Sequence, residues 1–484
     1  MVFFPIFFLL FISSLAEEKL VFLLTLYRHG ARSPKKYYDE SLHLDYLFEK
    51  WDNPGELTPT GRRMHYALGL RNREIYINQK HFLSEKFDPH EILVYSTDYN
   101  RTLESVASQL QGLYPFDTGA EITEEQKSNS SPPLNLSPKV KEELDKINNN
   151  ALPFKMSLVP IRMIGKNERK INVDFLGGCI KKSKEIIANN TENSINLKNL
   201  LEKFDKNYSQ PLNKFYGTNE IKYDQNFISN FCDSFLAGYT EGKKFEKIIE
   251  LGLNKEELLK SCIEYTVINY RDLTAGDKER AIPTLEVSKL MQEFIYYMKQ
   301  RIDADINKED IEKKLEDFSR PKMLMISAHD YTVSMWEMFL IKVFLNNDES
   351  KFIFPNFAAQ LAFEVITVNN TDSSKKKNYN DYTINCYFND DLFFSKKVDE
   401  FIKLLESNIY NDDQINEYCQ EIVFNSKKEE QPQQKTIYFY LMIVFITITG
   451  LLIILMIIFI IKAKKSKNEL SEINNIEDGP LVLN

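Results

Sequence analysis

Leu20-Val21-Phe22-Leu23-Leu24-Thr25-Leu26-Tyr27, running directly into Arg28-His29-Gly30-Ala31-Arg32-Ser33-Pro34, is the stretch that decides the fold. The first eight residues are apolar except for Thr25 and read as a strand buried on both faces, which suits a parallel sheet. Ligands of open α/β sheets bind just beyond the carboxyl ends of such strands. A histidine between two arginines at that place reads as a nucleophile set in an anion clamp. The plain alternative, a surface loop with a solvated basic cluster, loses ground once the later motifs are counted.

Phosphate chemistry accounts for these residue types together. A phosphate monoester is attacked in line at phosphorus while charge spreads over its non-bridging oxygens, so positioning and cationic donors carry the catalysis. Arg28 and Arg32 present planar, permanently charged forks to such oxygens. His29 can attack and carry the phosphoryl group, dividing one hard step into two. The neighbouring arginines disfavour an imidazolium and keep His29 neutral. Gly30 is expected to let the backbone approach the oxyanion closely.

Two further segments have the same design. Ile92-Leu93-Val94-Tyr95-Ser96-Thr97 reads as an apolar strand, and Asp98-Tyr99-Asn100 as a polar turn into a helix marked by Leu103, Val106 and Leu110. Arg101 falls in the first turn of that helix, where backbone N–H groups also favour anions. Met323 to Ala328 is a second buried strand, followed by His329-Asp330 and by Val333, Trp336 and Leu340 at helical spacing. His329 adds a donor to the oxyanion, and Asp330 can protonate the leaving alkoxide. A helix N-cap is the structural alternative for Asp330.

At these residues the chain resembles the histidine acid phosphatases, the branch of the histidine phosphatase superfamily that includes prostatic and lysosomal acid phosphatases and phytases. The family's Arg-His-Gly-x-Arg-x-Pro motif is complete at Arg28 to Pro34, and its later His-Asp pair stands at His329 and Asp330. Arg101 lies in a Ser-Thr-Asp-x-x-Arg-Thr setting, and Leu57-Thr58-Pro59-Thr60-Gly61 resembles a further family segment. The resemblance covers most of residues 20–419 and is loose between Phe175 and Pro283. It implies an α/β fold: a phosphoglycerate-mutase-like core sheet flanked by helices, with an inserted helical cap. It also implies a phosphohistidine at His29, Asp330 as proton donor, Arg28, Arg32, Arg101 and His329 as phosphate ligands, and no metal or other cofactor. A disulfide between Cys179 and Cys419 is likewise implied by the resemblance alone.

Composition and the chain ends fit that picture. Lys and Arg total 61 against 70 Asp and Glu, a formal charge of −9, which argues against a nucleic-acid partner. Residues 1–16 read as a signal peptide, with an apolar run from Val2 to Ile12 and small residues at Ser14 and Ala16. Residues 437–461 are an uncharged run, ~37 Å long as a helix, followed by Lys462, Lys464, Lys465 and Lys467. That pattern marks a single-pass type I membrane protein with its catalytic domain extracellular or in a lysosome-like lumen. The five cysteines, Cys179, Cys232, Cys262, Cys386 and Cys419, all lie on the expected lumenal side. Cys232 with Cys262 is a second candidate pair, and the odd count leaves one thiol over. Sequons stand at Asn129, Asn135, Asn189, Asn207 and Asn369. A sixth, at Asn100, adjoins Arg101, where a glycan collides with the phosphate pocket.

The expected organisation is core residues 17–173, a helical cap over 174–285, core again over 286–425, a stalk over 426–436, the membrane helix and a tail over 462–484. Thr118 to Asn150 reads as a polar surface excursion, Gln360 to Val368 as an alternating region, and the cap's Phe227, Phe231 and Phe235 as helix packing. His43, His65, His81 and His90 read as surface or helix residues. The expected partners are phosphate monoesters and the membrane, with a homodimer as the candidate assembly. Alternatives are a phosphatase selective for inositol phosphates, which needs extra basic residues lining the cap, a phosphomutase, and a retired surface binding protein, which is expected to have lost His29 or Asp330. Carbonate washing of membranes should leave the full-length protein in the pellet, and glycosidase should raise its mobility; release by carbonate together with unchanged mobility would overturn the topology.

Overall fold

Seven strands form one mixed sheet in the order β3-β2-β4-β1-β5-β6-β7. The computed structural model describes residues 18–35, 51, 53–164, 180–217, 221–276, 280–307, 321–368 and 377–415. The strands are β1 (Glu18–Arg28), β2 (Ile92–Thr97), β3 (Arg162–Ile164), β4 (Met323–Ala328), β5 (Gln360–Val368), β6 (Tyr382–Phe388) and β7 (Asp391–Lys397). The longer helices are numbered α1 (Pro59–Arg73), α2 (Asn100–Leu113), α3 (Ile180–Asn193), α4 (Ile195–Tyr216), α5 (Gln225–Thr240), α6 (Lys255–Val267), α7 (Ala281–Asn307), α8 (Asp330–Phe344) and α9 (Val398–Asn408).

The apolar run 20–27 becomes the middle of β1, buried along its whole length. Its residues divide between two cores. Leu24 and Leu26 point to one face with Phe294 and Met298 of α7, Trp336 and Phe339 of α8 and Phe401 of α9. Leu23 and Tyr27 point to the other, with Val106 and Leu110 of α2 and Tyr76. β2 and β4 divide in the same way, Tyr95 and Ile326 on one side, Val94 and Met325 on the other. Burying two faces is what makes these strands read as continuous apolar runs. β1, β2 and β4 are mutually parallel through β4, with Arg28 opposite Ala328 and Ser96 opposite Ser327. Three motif-bearing strand ends therefore arrive side by side.

The other half of the sheet is antiparallel, β1 to β5, β5 to β6 and β6 to β7. β5 corrects the alternating reading of 360–368, because all but its last residues are buried on both faces. Its polar positions survive burial by pairing: Glu364 accepts from Tyr76 Oη at 3.0 Å and from Lys80 Nζ at 2.6 Å. β6, with one face against the core, keeps a true alternation.

The region 180–274 is helical and has its own core, in which Phe204, Phe227, Phe231 and Phe235 are almost wholly buried. The aromatic stripe is thus helix packing, as read from its spacing. A disulfide joins Cys232 of α5 to Cys262 of α6. Cys386 is a buried free thiol. Cys179, Cys419, Asn369, the signal peptide, the stalk and the span 437–461 lie outside the described residues. Among the described residues no helix is long and apolar enough to cross a membrane. The excursion 118–150 carries only short helices, at Glu124–Ser128 and Pro138–Lys146. Asn129 and Asn135 in it are exposed, as are Asn189 and Asn207.

Gly30 is required by a close backbone contact of its own. A Cβ there would stand 2.4 Å from the carbonyl oxygen of Gly61, and a Cβ on Gly61 would stand 2.1 Å from that of Ala31. The loop after β1 and the first turn of α1 therefore touch backbone to backbone. Thr58 caps α1, its hydroxyl accepting from Gly61 N at 3.1 Å and donating to Ala31 O at 3.0 Å. Gly61→Ala tests this contact by sign. Helix propensity alone favours alanine by about 1 kcal/mol, whereas the overpacked contact should lower the free energy of unfolding in urea by about 1–3 kcal/mol. A stabilised variant would refute the contact.

Candidate active site

The ends of β1, β2 and β4 bring Arg28, His29, Arg32, Arg101, His329 and Asp330 into one cluster, and all six are largely or wholly withdrawn from water. Arg28 closes β1. Its guanidinium pairs with Asp330 Oδ2 at 2.7 Å, donates to Pro355 O at 2.8 Å and lies 4.1 Å over the ring of Phe357. Arg32 forms a fork with the cap: one nitrogen reaches Asp233 Oδ1 at 2.7 Å and the other Oδ2 at 3.3 Å. The Nε atoms of Arg28 and Arg32 are buried and have no hydrogen-bond acceptor. A buried N–H without a partner is costly, and two of them in one pocket are what an anion-binding site presents before its anion arrives.

His29 has a defined tautomer. Its Nδ1 lies 2.9 Å from the carbonyl oxygen of Gly30, which can only accept. Nδ1 therefore carries the proton and Nε2 keeps its lone pair. Burial, then Arg28 and Arg32, hold its pKa well below the ordinary histidine value, so the ring stays neutral in acid. Its main chain is clamped as well, N to Ala328 O at 2.9 Å and O to Ala358 N at 3.0 Å.

His329 is already engaged on both sides. Arg101 lies 3.3 Å from Nδ1 and Thr97 Oγ1 lies 3.0 Å from Nε2. Since Arg101 can only donate, Nδ1 accepts and Nε2–H donates to Thr97. The expected donation from His329 to an oxyanion thus requires the exchange of one of these bonds. Burial, then Arg101, hold its pKa well below the ordinary value.

Asp330 is not the N-cap of α8. His329 holds that position, and Asp330 is the first helical residue, accepting from Tyr331 N at 2.9 Å. Burial alone would raise its pKa, but Arg28, Lys35 and Arg32 outweigh that and hold it well below the carboxylate range.

Four residues of the neighbourhood were not legible in advance. Lys35, one residue past the first motif, is close enough to Asp330 and Arg32 to feel their charge. Asp233 comes from α5, and Tyr270 from the stretch after α6, where it faces Asp330. The fourth, His65, is a helix residue as expected, but completely buried in α1, with Nε2 3.1 Å from the Arg28 carbonyl oxygen. Asp233 and Tyr270 are far from the motifs in sequence, and no local pattern marks these two or His65. A cavity of about 140 Å³ opens over Arg28, Arg32 and Asp330, walled by Phe354, Phe357 and Tyr265. Among the described residues, no group of three or more His, Cys, Asp or Glu side chains is placed to hold a metal ion.

Comparisons with known proteins bear on the family and the fold. The family model of the histidine phosphatase superfamily (branch 2) matches residues 19–389. The lysosomal acid phosphatase of Xenopus laevis is 27% identical over 252 residues, 51% of this chain and 55% of its own length. That of Bos taurus is 40% identical over 97 residues, 20% of this chain and 22% of its own. The chain thus spans about half the length, or less, of these curated relatives. In fold it is similar to the phytase from Citrobacter braakii, with a TM-score of 0.51 at 13% identity, over 81% of this chain and 98% of that one.

Three buried neutral histidines make stability depend on pH. His29, His65 and His329 are all shifted down, His65 to about 4. The unfolded chain protonates them near 6.5, so their contribution is fully present above that pH and is lost as pH falls, for His65 through about 4. The Asp330 and Asp233 shifts add a further loss below the ordinary aspartate value. The urea unfolding free energy should fall steadily from pH 7 to pH 4, with His65 alone worth about 3 kcal/mol. A flat profile would show that these rings are not neutral and buried.

Proposed function

From the premise that this chain belongs to branch 2 of the histidine phosphatase superfamily, we propose that it is an acid phosphatase hydrolysing phosphate monoesters through a phosphohistidine at His29. The observation that carries this reading is the buried His29 with its Nε2 lone pair open, ringed by Arg28, Arg32 and Arg101. The substrate's phosphate lies among the three guanidiniums, taking up N–H groups such as the buried Nε of Arg28 and Arg32. Nε2 of His29 attacks phosphorus in line, the bond to the leaving oxygen breaks, and Asp330 gives that oxygen its proton. In the second half-reaction the ionised Asp330 takes a proton from water. The water oxygen bonds to phosphorus and His29 leaves.

The pH dependence follows from charge. Free Asp330 is held ionised by Arg28. A bound phosphate draws on the same guanidinium and adds negative charge, both of which raise the affinity of Asp330 for a proton. Proton donation is then available in acid and fails as pH rises, while His29 stays neutral and nucleophilic in acid. The arginines supply the electrostatic stabilisation, so the mechanism calls for no cofactor.

Selectivity for inositol phosphates is the second reading, prompted by the phytase-like fold. It requires cations on the cap side of the cavity. Among the described residues the cap contributes neutral side chains there, including Ser229, Asn230, Thr266 and Asn269, together with the carboxylate of Asp233. That lining favours a substrate with a single phosphate. We further propose that the enzyme is a single-pass type I membrane protein acting in an extracellular or lysosome-like space. This reading is supported by the uncharged run 437–461 with its following lysines and by the relationship to lysosomal acid phosphatases.

Rapid quenching with labelled substrate should trap an acid-labile, base-stable phosphoenzyme, and His29→Ala should abolish both label and turnover. Label that persists in the variant removes His29 from the role. Asp330→Asn should slow alkyl phosphates by at least about tenfold more than aryl phosphates, whose leaving groups need little protonation. Equal losses would make Asp330 a structural residue.

A further inference from the structure

The loop carrying the nucleophile has nearly every main-chain polar group committed to a named partner. Arg28 N donates to Ala359 O and His29 N to Ala328 O, both at 2.9 Å, while His29 O accepts from Ala358 N at 3.0 Å. Gly30 N donates to Ser105 Oγ at 3.0 Å, and Gly30 O accepts from the His29 ring at 2.9 Å. Ala31 O accepts from Thr58 N and from its hydroxyl, each at 3.0 Å. In this series the Arg28 carbonyl is met by a side chain, Nε2 of His65 at 3.1 Å. That carbonyl belongs to the peptide joining the first phosphate arm to the nucleophile.

We propose that His65 is a positioning residue for the reaction: by donating from Nε2 to the Arg28 carbonyl, it sets the peptide plane from which the His29 ring projects. His65 has no exposed surface and is not among the residues lining the cavity, so it acts on the site through the Arg28 carbonyl it touches. The carbonyl can only accept, which puts the ring proton on Nε2. Nδ1 then accepts, and its neighbour is the amide of Gln109 of α2 at 3.2 Å. With Oε1 toward the ring, Gln109 leaves its own nitrogen buried without an acceptor. Exchanging the two isosteric amide atoms satisfies both groups at once and locks the tautomer. The ring is packed edge-on to Tyr27 at 6.2 Å, and Tyr27 Oη is held in turn by Asn72 at 2.7 Å. His65 is therefore fixed from α2 and β1 as well as from its own helix.

The role predicts a particular kinetic pattern. The phosphate is gripped by arms from separate elements, Arg28 and Arg32 around β1 and Arg101 on α2, so tilting one peptide costs little binding. In-line attack tolerates little misplacement, since an error of about 1 Å costs roughly a hundredfold in rate. The loss should fall on kcat.

This inference rests on the phosphohistidine reading, and the experiment separates the two. Full-length wild type, His65→Leu and His65→Gln are compared on p-nitrophenyl phosphate, with inhibition by inorganic phosphate and the thermal midpoint measured alongside. His65→Leu should lose about 10–100-fold in kcat, with KM and the phosphate inhibition constant within about threefold of wild type. His65→Gln, whose amide nitrogen can replace Nε2 as donor, should recover most of that loss. Wild-type kcat in a folded His65→Leu, or equal losses in the two variants, overturns the proposal. If His65→Leu does not fold, Gln109→Met is the deciding variant. It keeps His65 but frees its ring, and it should lower kcat several-fold at constant KM; unchanged kcat overturns the proposal. A wild-type protein that neither turns over nor traps label would instead sink the phosphatase reading itself.

Discussion

Arg28 and Asp330 meet at 2.7 Å across the ends of two parallel strands, both almost completely removed from water. Burying an unpaired guanidinium costs several kcal/mol, so the pair is a condition for placing this arginine inside the fold at all. The same constraint reaches into the helical insertion, where Asp233 answers Arg32 with a two-point fork. The cap therefore does more than cover the pocket. One of its carboxylates balances a charge that the core cannot leave alone, and the helix that carries it, α5, is tied to α6 by the disulfide beside it, Cys232 to Cys262.

That compensation is incomplete by design of the donors. Arg28 and Arg32 spend their terminal nitrogens on carboxylates and main-chain carbonyls and keep a buried Nε–H each. The pocket is thus paid for in the free state yet retains capacity for an anion. Asp330 carries the tension most directly, because the cation that stabilises its ionised form is also one of the guanidiniums of the proposed phosphate site.

The histidines show how one residue type is given different chemistry by its partners. His29 faces a carbonyl and keeps Nε2 open. His329 sits between a cation and a hydroxyl, with both nitrogens engaged. His65 faces the carbonyl of Arg28, the residue before His29. Burial makes all three neutral, and only the identity of the hydrogen-bonding neighbour separates an open lone pair from a strut.

Local order in the chain was enough to find the strand ends and the motifs on them. Leu20 to Tyr27 announces a doubly buried strand because both its faces are apolar, and Arg28 to Pro34, Arg101 and His329-Asp330 each follow such a strand, so their convergence could be expected from the rule for parallel sheets. The same local order misread β5, whose polar residues are buried but paired, and did not show that the backbone of Gly61 packs against Gly30 where a side chain would stand. It was silent on Asp233, which lies 201 positions from its partner Arg32, and on the difference between His65 and the exposed His81. Such partnerships are fixed by which helix surfaces the folded core presses together. A single residue's neighbours along the chain carry hydrophobic period and turn chemistry, and only the packed fold says which distant group it must satisfy.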